Sequence, residues 1–202
     1  MTLDLPTPKR ESGDDRRLAI AAAAREIIVE KGLEGLRTRD IASRVGINIA
    51  TLHYHVPSKE ALIALVAQSM RDDFRLQAMR RPRAGKTGIE LLRMEFEDFQ
   101  ETVTEAPELI SVLTEMMERA RRDPAIGTIM APLHDFWRMQ FAEIFGVGAK
   151  DGTLRADIDP IAAALIITGA LSDFGRLWTS FRPTFEQVTA ELERAFTPKI
   201  LS

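Results

Sequence analysis

The sequence predicts an all-α fold of about nine helices. Apolar residues recur at three- and four-residue steps through most of the chain, which is the period of one helix face. Residues that cap helices, or a proline, stand at the start of most of these stretches. We find no convincing alternation of apolar and polar residues, the pattern of a half-buried strand. The pattern divides into an arm at 1–13, a three-helix domain at 14–60 and a second helical domain at 61–202.

Composition narrows the class of protein. The chain has 202 residues, of which 45% are hydrophobic, so it can bury a sizeable core. It contains no cysteine, which excludes disulfide scaffolds and thiolate metal sites and suits a reducing compartment. The apolar run from Ile161 to Leu171 is too short to span a bilayer, and the N-terminus lacks a signal-peptide pattern. We therefore expect a cytoplasmic protein that is not bound to a membrane.

Two longer helices are predicted on either side of a short central segment. The first dozen residues contain Pro6 and Pro8 and lack a helical period, so we expect them to form a mobile arm. A capping box at Ser12–Asp15 begins the first helix, and Gly32 ends it. Ser58 is predicted to cap a long fourth helix.

The central segment has the pattern of a helix-turn-helix. Thr38 is predicted to cap a short second helix that runs through Val45, and Gly46 gives the backbone the freedom that a sharp turn needs. Asn48 is predicted to cap a third helix that ends near Val56. A short helix, a glycine turn and a second short helix, preceded by a longer one, form the arrangement that places a recognition helix in the DNA major groove.

The side chains of this segment also favour DNA as a partner. A net charge of −3 argues against a protein that coats nucleic acid non-specifically, so any contact needs a local basic surface. Basic residues outnumber acidic ones between Lys31 and Lys59. The third helix carries several hydroxyl and imidazole groups, which can form hydrogen bonds to phosphate oxygens. They lie next to Leu52, which is predicted to pack in the core. These polar residues are Thr51, His53, Tyr54 and His55.

Three stretches together resemble the N-terminal signature of the TetR family of bacterial regulators. They are Leu36–Ala42, Gly46–Asn48 and Thr51–Leu62, and the resemblance covers roughly Leu18 to Val66. It implies a homodimer on double-stranded DNA. The positions placed at or near DNA are Thr38, Arg39, Asn48, Ile49, Ala50, Thr51, His53, Tyr54, His55 and Lys59.

Two positions depart from the family pattern. His53 stands where tyrosine is usual, and Ile49 puts an apolar side chain where polar readers of the bases are frequent. An apolar side chain can contact the methyl group of thymine, so the operator sequence stays open.

The second domain is predicted to be helical as well, after a joint between Arg80 and Gly88. The segment Val147 to Asp159 is predicted to be the one long loop, and its end, Gly152–Pro160, is similar to a loop that often precedes the dimerising helices of the family. The predicted helices are Ile89 to Val103, one from Pro107, one from Asp123–Pro124 to near Gly146, one from Pro160 to about Leu177, and one from Phe185 to Phe196 after a capping box at Thr184–Gln187.

A cavity for a small apolar or amphipathic effector is one interpretation of the methionines and aromatic residues of this domain. Singly, each methionine also fills an irregular core gap, and His134 is more simply a satisfied core histidine. Asp173 and Arg176 fit a polar handle in the cavity or an exposed pair, and the mixed charges from Glu115 to Arg122 fit a solvated face. The predicted effector-binding residues are Met94, Phe96, Met116, Met117, Met130, His134, Trp137 and Phe174.

The helix from Pro160, which includes Trp178, is apolar almost all round and must be buried. Its small residues allow close helix approach, and the family resemblance implies that the last two helices pair with their copies as a four-helix bundle. The predicted interface residues are Ala163, Ile166, Gly169 and Ala170.

The sequence therefore predicts a ligand-responsive repressor that binds a palindromic operator as a dimer. A helical protein-protein adaptor and a constitutive DNA-binding module without an effector are the alternatives. An enzyme is disfavoured because no phosphate-binding glycine loop, nucleophile elbow or paired-carboxylate motif occurs. No cofactor is expected, and no metal site, since His53 and His55 diverge on one helix and His134 lies on another element.

Overall fold

The computed structural model describes residues 12–176 and 183–198, and within these ranges the chain forms nine α-helices, one short 3₁₀ helix and no strand. The all-α prediction is confirmed. Residues 1–11, Leu177 and Trp178, on which predictions were made, lie outside the described residues. The elements are α1 (Gly13–Lys31), the 3₁₀ turn (Leu33–Gly35), α2 (Thr38–Val45), α3 (Ile49–His55), α4 (Lys59–Met79), α5 (Gly88–Glu105), α6 (Pro107–Ala120), α7 (Pro124–Asp151), α8 (Pro160–Arg176) and α9 (Phe185–Phe196).

Most of the predicted helix caps are confirmed. The Ser12 hydroxyl accepts the Asp15 N–H at 3.1 Å, and the Ser58 hydroxyl accepts the Ala61 N–H at 3.1 Å. The Thr184–Gln187 capping box forms in full. The prediction for Thr38 is wrong: Thr38 is the first helical residue, and Arg37 occupies the cap position without a side-chain hydrogen bond.

The predicted end of α7 near Gly146 is also wrong, because the helix continues to Asp151. A side-chain carbon at Gly88 would overlap the backbone of Gly148, and one at Gly148 would overlap Leu154. Glycine at 148 therefore allows the start of α5 to approach α7 closely and does not stop the helix. Gly152, with φ +78°, ends it, so the predicted long loop shortens to residues 152–159.

One apolar core joins the N-terminal helices to the rest of the molecule. We call α1 to α3, with the 3₁₀ turn, the head. Ile27 and Leu52 of the head share this core with Met70 of α4, Met116 of α6 and Met130 of α7, and all five are almost fully buried. The boundary predicted at residue 60 therefore crosses a continuous core, and α6 packs directly against the head.

A second core lies among α5, the second half of α7, α8 and α9. Leu92, Phe145 and Ile167 are its fully buried centre, and Phe196 closes it with an edge-on contact between its ring and that of Phe145, 5.0 Å between centroids. In the part of the chain that the structure describes, no helix is long and apolar enough to cross a membrane.

A buried ionic cluster fixes the joint between α4 and α5. Arg83 pairs with Glu95, and its Nη2 lies 2.7 Å from Oδ2 of Asp98. Gln140 of α7 also donates to Glu95. Burial raises the pKa of Glu95, and the Arg83 guanidinium opposes that rise. The joint that the sequence predicted from glycine and proline is thus held by one arginine between two nearly buried carboxyl groups.

Candidate functional site

The geometry of α2 and α3 is that of a helix-turn-helix. Gly46 takes the left-handed conformation, with φ 72° and ψ 32°, and the Ile47 N–H donates to the Ala42 carbonyl at 2.9 Å. The Asn48 side chain then caps α3 by accepting the Thr51 N–H at 2.8 Å. Leu52, with no exposed surface, anchors α3 in the core of the head. Each predicted element of the motif except the Thr38 cap is present.

One exposed surface carries most of the side chains predicted to meet DNA. Tyr54 is 84% exposed and Ile49 is 42% exposed, so both side chains face solvent on this surface. Thr51 and His55 are half-buried, and Arg17 of α1 donates to the His55 carbonyl at 3.2 Å, which ties the end of α3 to α1. The other predicted residues, all exposed, are Thr38, Arg39, Asn48, Ala50, His53 and Lys59.

The basic surface is narrower than the sequence suggested. Lys31 Nζ lies 2.8 Å from Asp40, and Arg44 Nη2 lies 2.9 Å from Glu30. Arg37 donates to backbone carbonyl oxygens of its own turn. Among the described residues, Arg39 and Lys59 form no ion pair, so these two remain available to phosphate oxygens.

A cavity of about 380 Å³ lies among α4, α5, α6, α7 and α8. This volume is at the lower end of the range for small-molecule sites. The rings of Phe74 and Phe99 lie beside Trp137, with centroids 5.7 and 5.9 Å from its ring, and form an aromatic wall. Further apolar lining comes from Ile110, Leu113, Leu133 and Leu165.

Three of the predicted effector residues line this cavity, namely Met117, His134 and Trp137. The others do not. Met116 and Met130 are fully buried in the first core, and Phe96 is buried in the second. Phe174 contacts Phe185 edge-on at 5.3 Å, and Met94 lies outside the cavity wall.

Four charged residues line the cavity mouth. The sequence led us to interpret Glu118 and Arg121 of α6 as part of a solvated face, whereas Asp173 and Arg176 of α8 fitted either a polar handle in the cavity or an exposed pair. All four line the mouth because α6 and α8 place them on facing turns. The three- and four-residue spacing of Ile110, Leu113, Met117 and Arg121 was the available signal.

The predicted subunit contact divides between two faces of α8. Ile161, Leu165 and Ile166 are each more than half exposed, at 53%, 53% and 57%. Ala163, only 2% exposed, packs in the chain's own core and does not reach this face, and the half-buried Ala170 packs against the same core. Gly169 is exposed but also lines the cavity.

Comparison with known proteins agrees with this geometry. Residues 20–66 match the family model described as bacterial regulatory proteins, tetR family. The regulator EthR of Mycobacterium tuberculosis is 41% identical over 54 residues, which are 27% of this chain and only 25% of EthR. The repressor KstR2 of Rhodococcus jostii is 22% identical over 154 residues, covering 76% of this chain and 75% of that protein. A TetR-family regulator from Agrobacterium tumefaciens has a crystal structure with a TM-score of 0.77 and 17% identity, covering 93% of this chain and 100% of that one.

The fold and the exposed α3 define an all-helical protein with an N-terminal helix-turn-helix. The match over residues 20–66 falls on that motif and on the helices that flank it. Residues 20–66 match the helix-turn-helix domain of the tetR family of bacterial regulatory proteins, and the described chain shares the all-α fold of TetR-family regulators.

Proposed function

We propose that this protein is a ligand-responsive transcriptional repressor, which binds a palindromic DNA operator as a homodimer and changes its DNA affinity when a small molecule enters the cavity. The observation that carries this proposal is the position of α6, which contacts both the cavity and the head. The exposed α3 supplies the DNA-facing surface, and the apolar face of α8 supplies a subunit contact.

The apolar side chains of α6 divide between the cavity and the core that α6 shares with the head. Ile110, Leu113 and Met117 line the cavity. Val112 and Met116, which have no exposed surface, pack into the core that the head shares. A ligand that displaces α6 therefore moves a helix against which the head is packed, and tightly packed helices shift as rigid units.

A polar contact joins α6 to the head beside this core. Oε1 of Glu115 accepts the backbone N–H of Leu33 at 3.0 Å, in the turn between α1 and α2. A side-chain carbon on Gly32 would lie only 3.2 Å from the same oxygen, so glycine allows the carboxylate to approach. Arg119, one helical turn further, pairs with Glu34 of the same turn. The turn that leads into the helix-turn-helix is thus held by α6.

The dimer is supported by the exposed apolar residues of α8. Isoleucine and leucine side chains that are half exposed on one helix form a patch that soluble monomers seldom leave uncovered. Two copies of α8 and α9 packed as a four-helix bundle would cover it. The bundle would also set the distance between two heads, which successive major grooves require.

Operator binding can be tested through Lys59, which is exposed and has no ion pair among the described residues. Each phosphate contact contributes about 0.9 to the slope of log affinity against log salt, so Lys59→Ala in both subunits should flatten that slope by roughly 1.8. Fluorescence anisotropy on a labelled duplex from the region upstream of the coding sequence, at several salt concentrations, measures the slope.

Two control variants accompany this measurement. Lys150→Ala removes an exposed lysine at the far end of α7 and should leave the slope unchanged. Ile49→Ala should also keep the slope but relax discrimination at one symmetric pair of operator positions, because an apolar side chain reads bases and not phosphates. An unchanged slope for Lys59→Ala would mean that the start of α4 does not face the DNA backbone.

A further inference from the structure

The inner part of the cavity contains no charged side chain among its described lining residues. Phe74, Phe99, Leu133 and Thr168 form its buried wall, each 7% exposed or less. The Thr168 hydroxyl donates to the Ala164 carbonyl of its own helix at 2.9 Å. A ligand group that reaches this depth leaves water for an apolar surface.

The charges of the cavity lie at its mouth and balance each other. The Glu118 carboxylate lies 3.9 Å from Arg121 and 4.0 Å from Arg176, and the side chains of these three residues are 46%, 77% and 52% exposed. Asp173 adds a second carboxylate at the mouth. Two carboxylates and two guanidinium groups leave no surplus of either sign to attract an ion. A charged ligand group buried below them would lose its hydration without gaining a partner.

His134 is a half-buried polar side chain that lines the cavity next to Trp137. Its Nε2 lies 3.4 Å from Nη2 of Arg138. A guanidinium group can only donate, so a hydrogen bond across this contact assigns the acceptor role to Nε2 and the proton of the neutral ring to Nδ1. Burial, and then the nearby positive charge of Arg138, hold the pKa of His134 below its ordinary value, which favours the neutral ring.

The Nδ1–H group of His134 has no acceptor within hydrogen-bonding distance among the described residues. It stands three residues before Trp137 on α7, and both side chains line the cavity. The cavity therefore presents the N–H donor of His134 beside the aromatic wall formed by Phe74, Phe99 and Trp137.

We propose that the cavity selects an uncharged, ring-bearing apolar molecule with a hydrogen-bond acceptor, such as a ketone oxygen, that receives the Nδ1–H of His134. This inference rests on the proposed function, because it names the chemical class of the effector. Rings pack against the aromatic wall, and the acceptor satisfies a donor that would otherwise be desolvated by the bound ligand. The charged mouth stays in water.

The test compares three probes of similar shape, namely naphthalene, acetylnaphthalene and naphthoate, in calorimetric titrations of the full-length protein without DNA. We expect acetylnaphthalene to bind at least tenfold more tightly than naphthoate. His134→Phe should weaken acetylnaphthalene binding by about tenfold and leave naphthalene binding unchanged, because only the ketone loses a hydrogen bond. His134→Gln, which keeps a donor, should retain most of the preference for the ketone over naphthalene.

Three results would overturn the inference: tighter binding of naphthoate, equal weakening of naphthalene and acetylnaphthalene by His134→Phe, or no binding of any probe by folded protein. A thermal melt of each variant shows whether it is folded. Since the titration contains no DNA, ketone binding that leaves operator affinity unchanged would instead contradict the proposed function and leave this inference standing.

Discussion

Replacing Ile166 with glutamate is expected to dissociate the dimer and to weaken operator binding by about 10²- to 10⁴-fold. The side chain is 57% exposed on α8, on the face that we assign to the subunit contact. In a two-fold interface the same position occurs on both subunits, so each subunit would bury one carboxylate without a partner. A monomer then loses the gain that comes from linking two DNA-binding heads.

Sedimentation velocity at micromolar concentration, together with anisotropy on operator DNA, measures both effects. Val29→Glu is the matched control, because Val29 is 47% exposed on α1, away from α8, and its replacement should leave the dimer intact. Ile166 is a cleaner choice than Gly169, which also lines the cavity. A dimeric Ile166→Glu protein, or a monomeric wild type, would contradict the assignment of this face.

Replacing Arg83 with methionine is expected to lower the free energy of unfolding at pH 7 by about 3–5 kcal/mol, since removing one partner leaves buried charges uncompensated. Arg83 alone joins Glu95 to Asp98, and both carboxyl side chains are at least 90% buried. Arg194→Met is the matched control. Arg194 and its partner Glu191 are both 69% exposed, so the loss should be about 1 kcal/mol or less.

The loss of unfolding free energy caused by Arg83→Met should depend on pH. Burial already raises the pKa of Glu95 and of Asp98, and loss of the arginine raises both further. A raised pKa in the folded state favours folding below the ordinary carboxyl pKa, and this contribution is lost as pH rises through the folded value. Urea unfolding should therefore show that Arg83→Met lowers the free energy of unfolding only slightly near pH 4 and by the full amount at pH 7. A deficit that is equal at both values would contradict a buried ionic cluster.

Short-range signals predicted most of the fold. Caps such as Asn48 and Ser58 act within one helical turn, and Gly46 needs only its own backbone conformation, so the sequence contains all the information about them. Gly148 shows where such signals fail. Its role depends on Gly88 and Leu154, which approach it only in the folded chain, so the sequence pattern placed Gly148 in the predicted loop from Val147 to Asp159.

The cavity was predicted less well because its wall depends on how five helices are rotated relative to each other. Met116 and Met117 are adjacent in sequence, yet one is buried against the head and the other faces the cavity. Residue type alone could not separate them. The mixed charges of α6 were interpreted as a solvated surface, whereas Glu115 holds the turn at Leu33 and Glu118 stands at the cavity mouth.

The most direct test of the central claim is the operator affinity of the wild type and of Glu115→Ala, measured with and without a molecule that calorimetry shows to bind in the cavity. Coupling of 1–3 kcal/mol is typical between two sites, so the bound molecule should change the wild-type affinity by about tenfold or more. Glu115→Ala should bind the molecule equally well but show a much smaller change, because α6 no longer holds the Leu33 N–H. An operator affinity that is the same in the wild type with and without bound molecule would contradict the account.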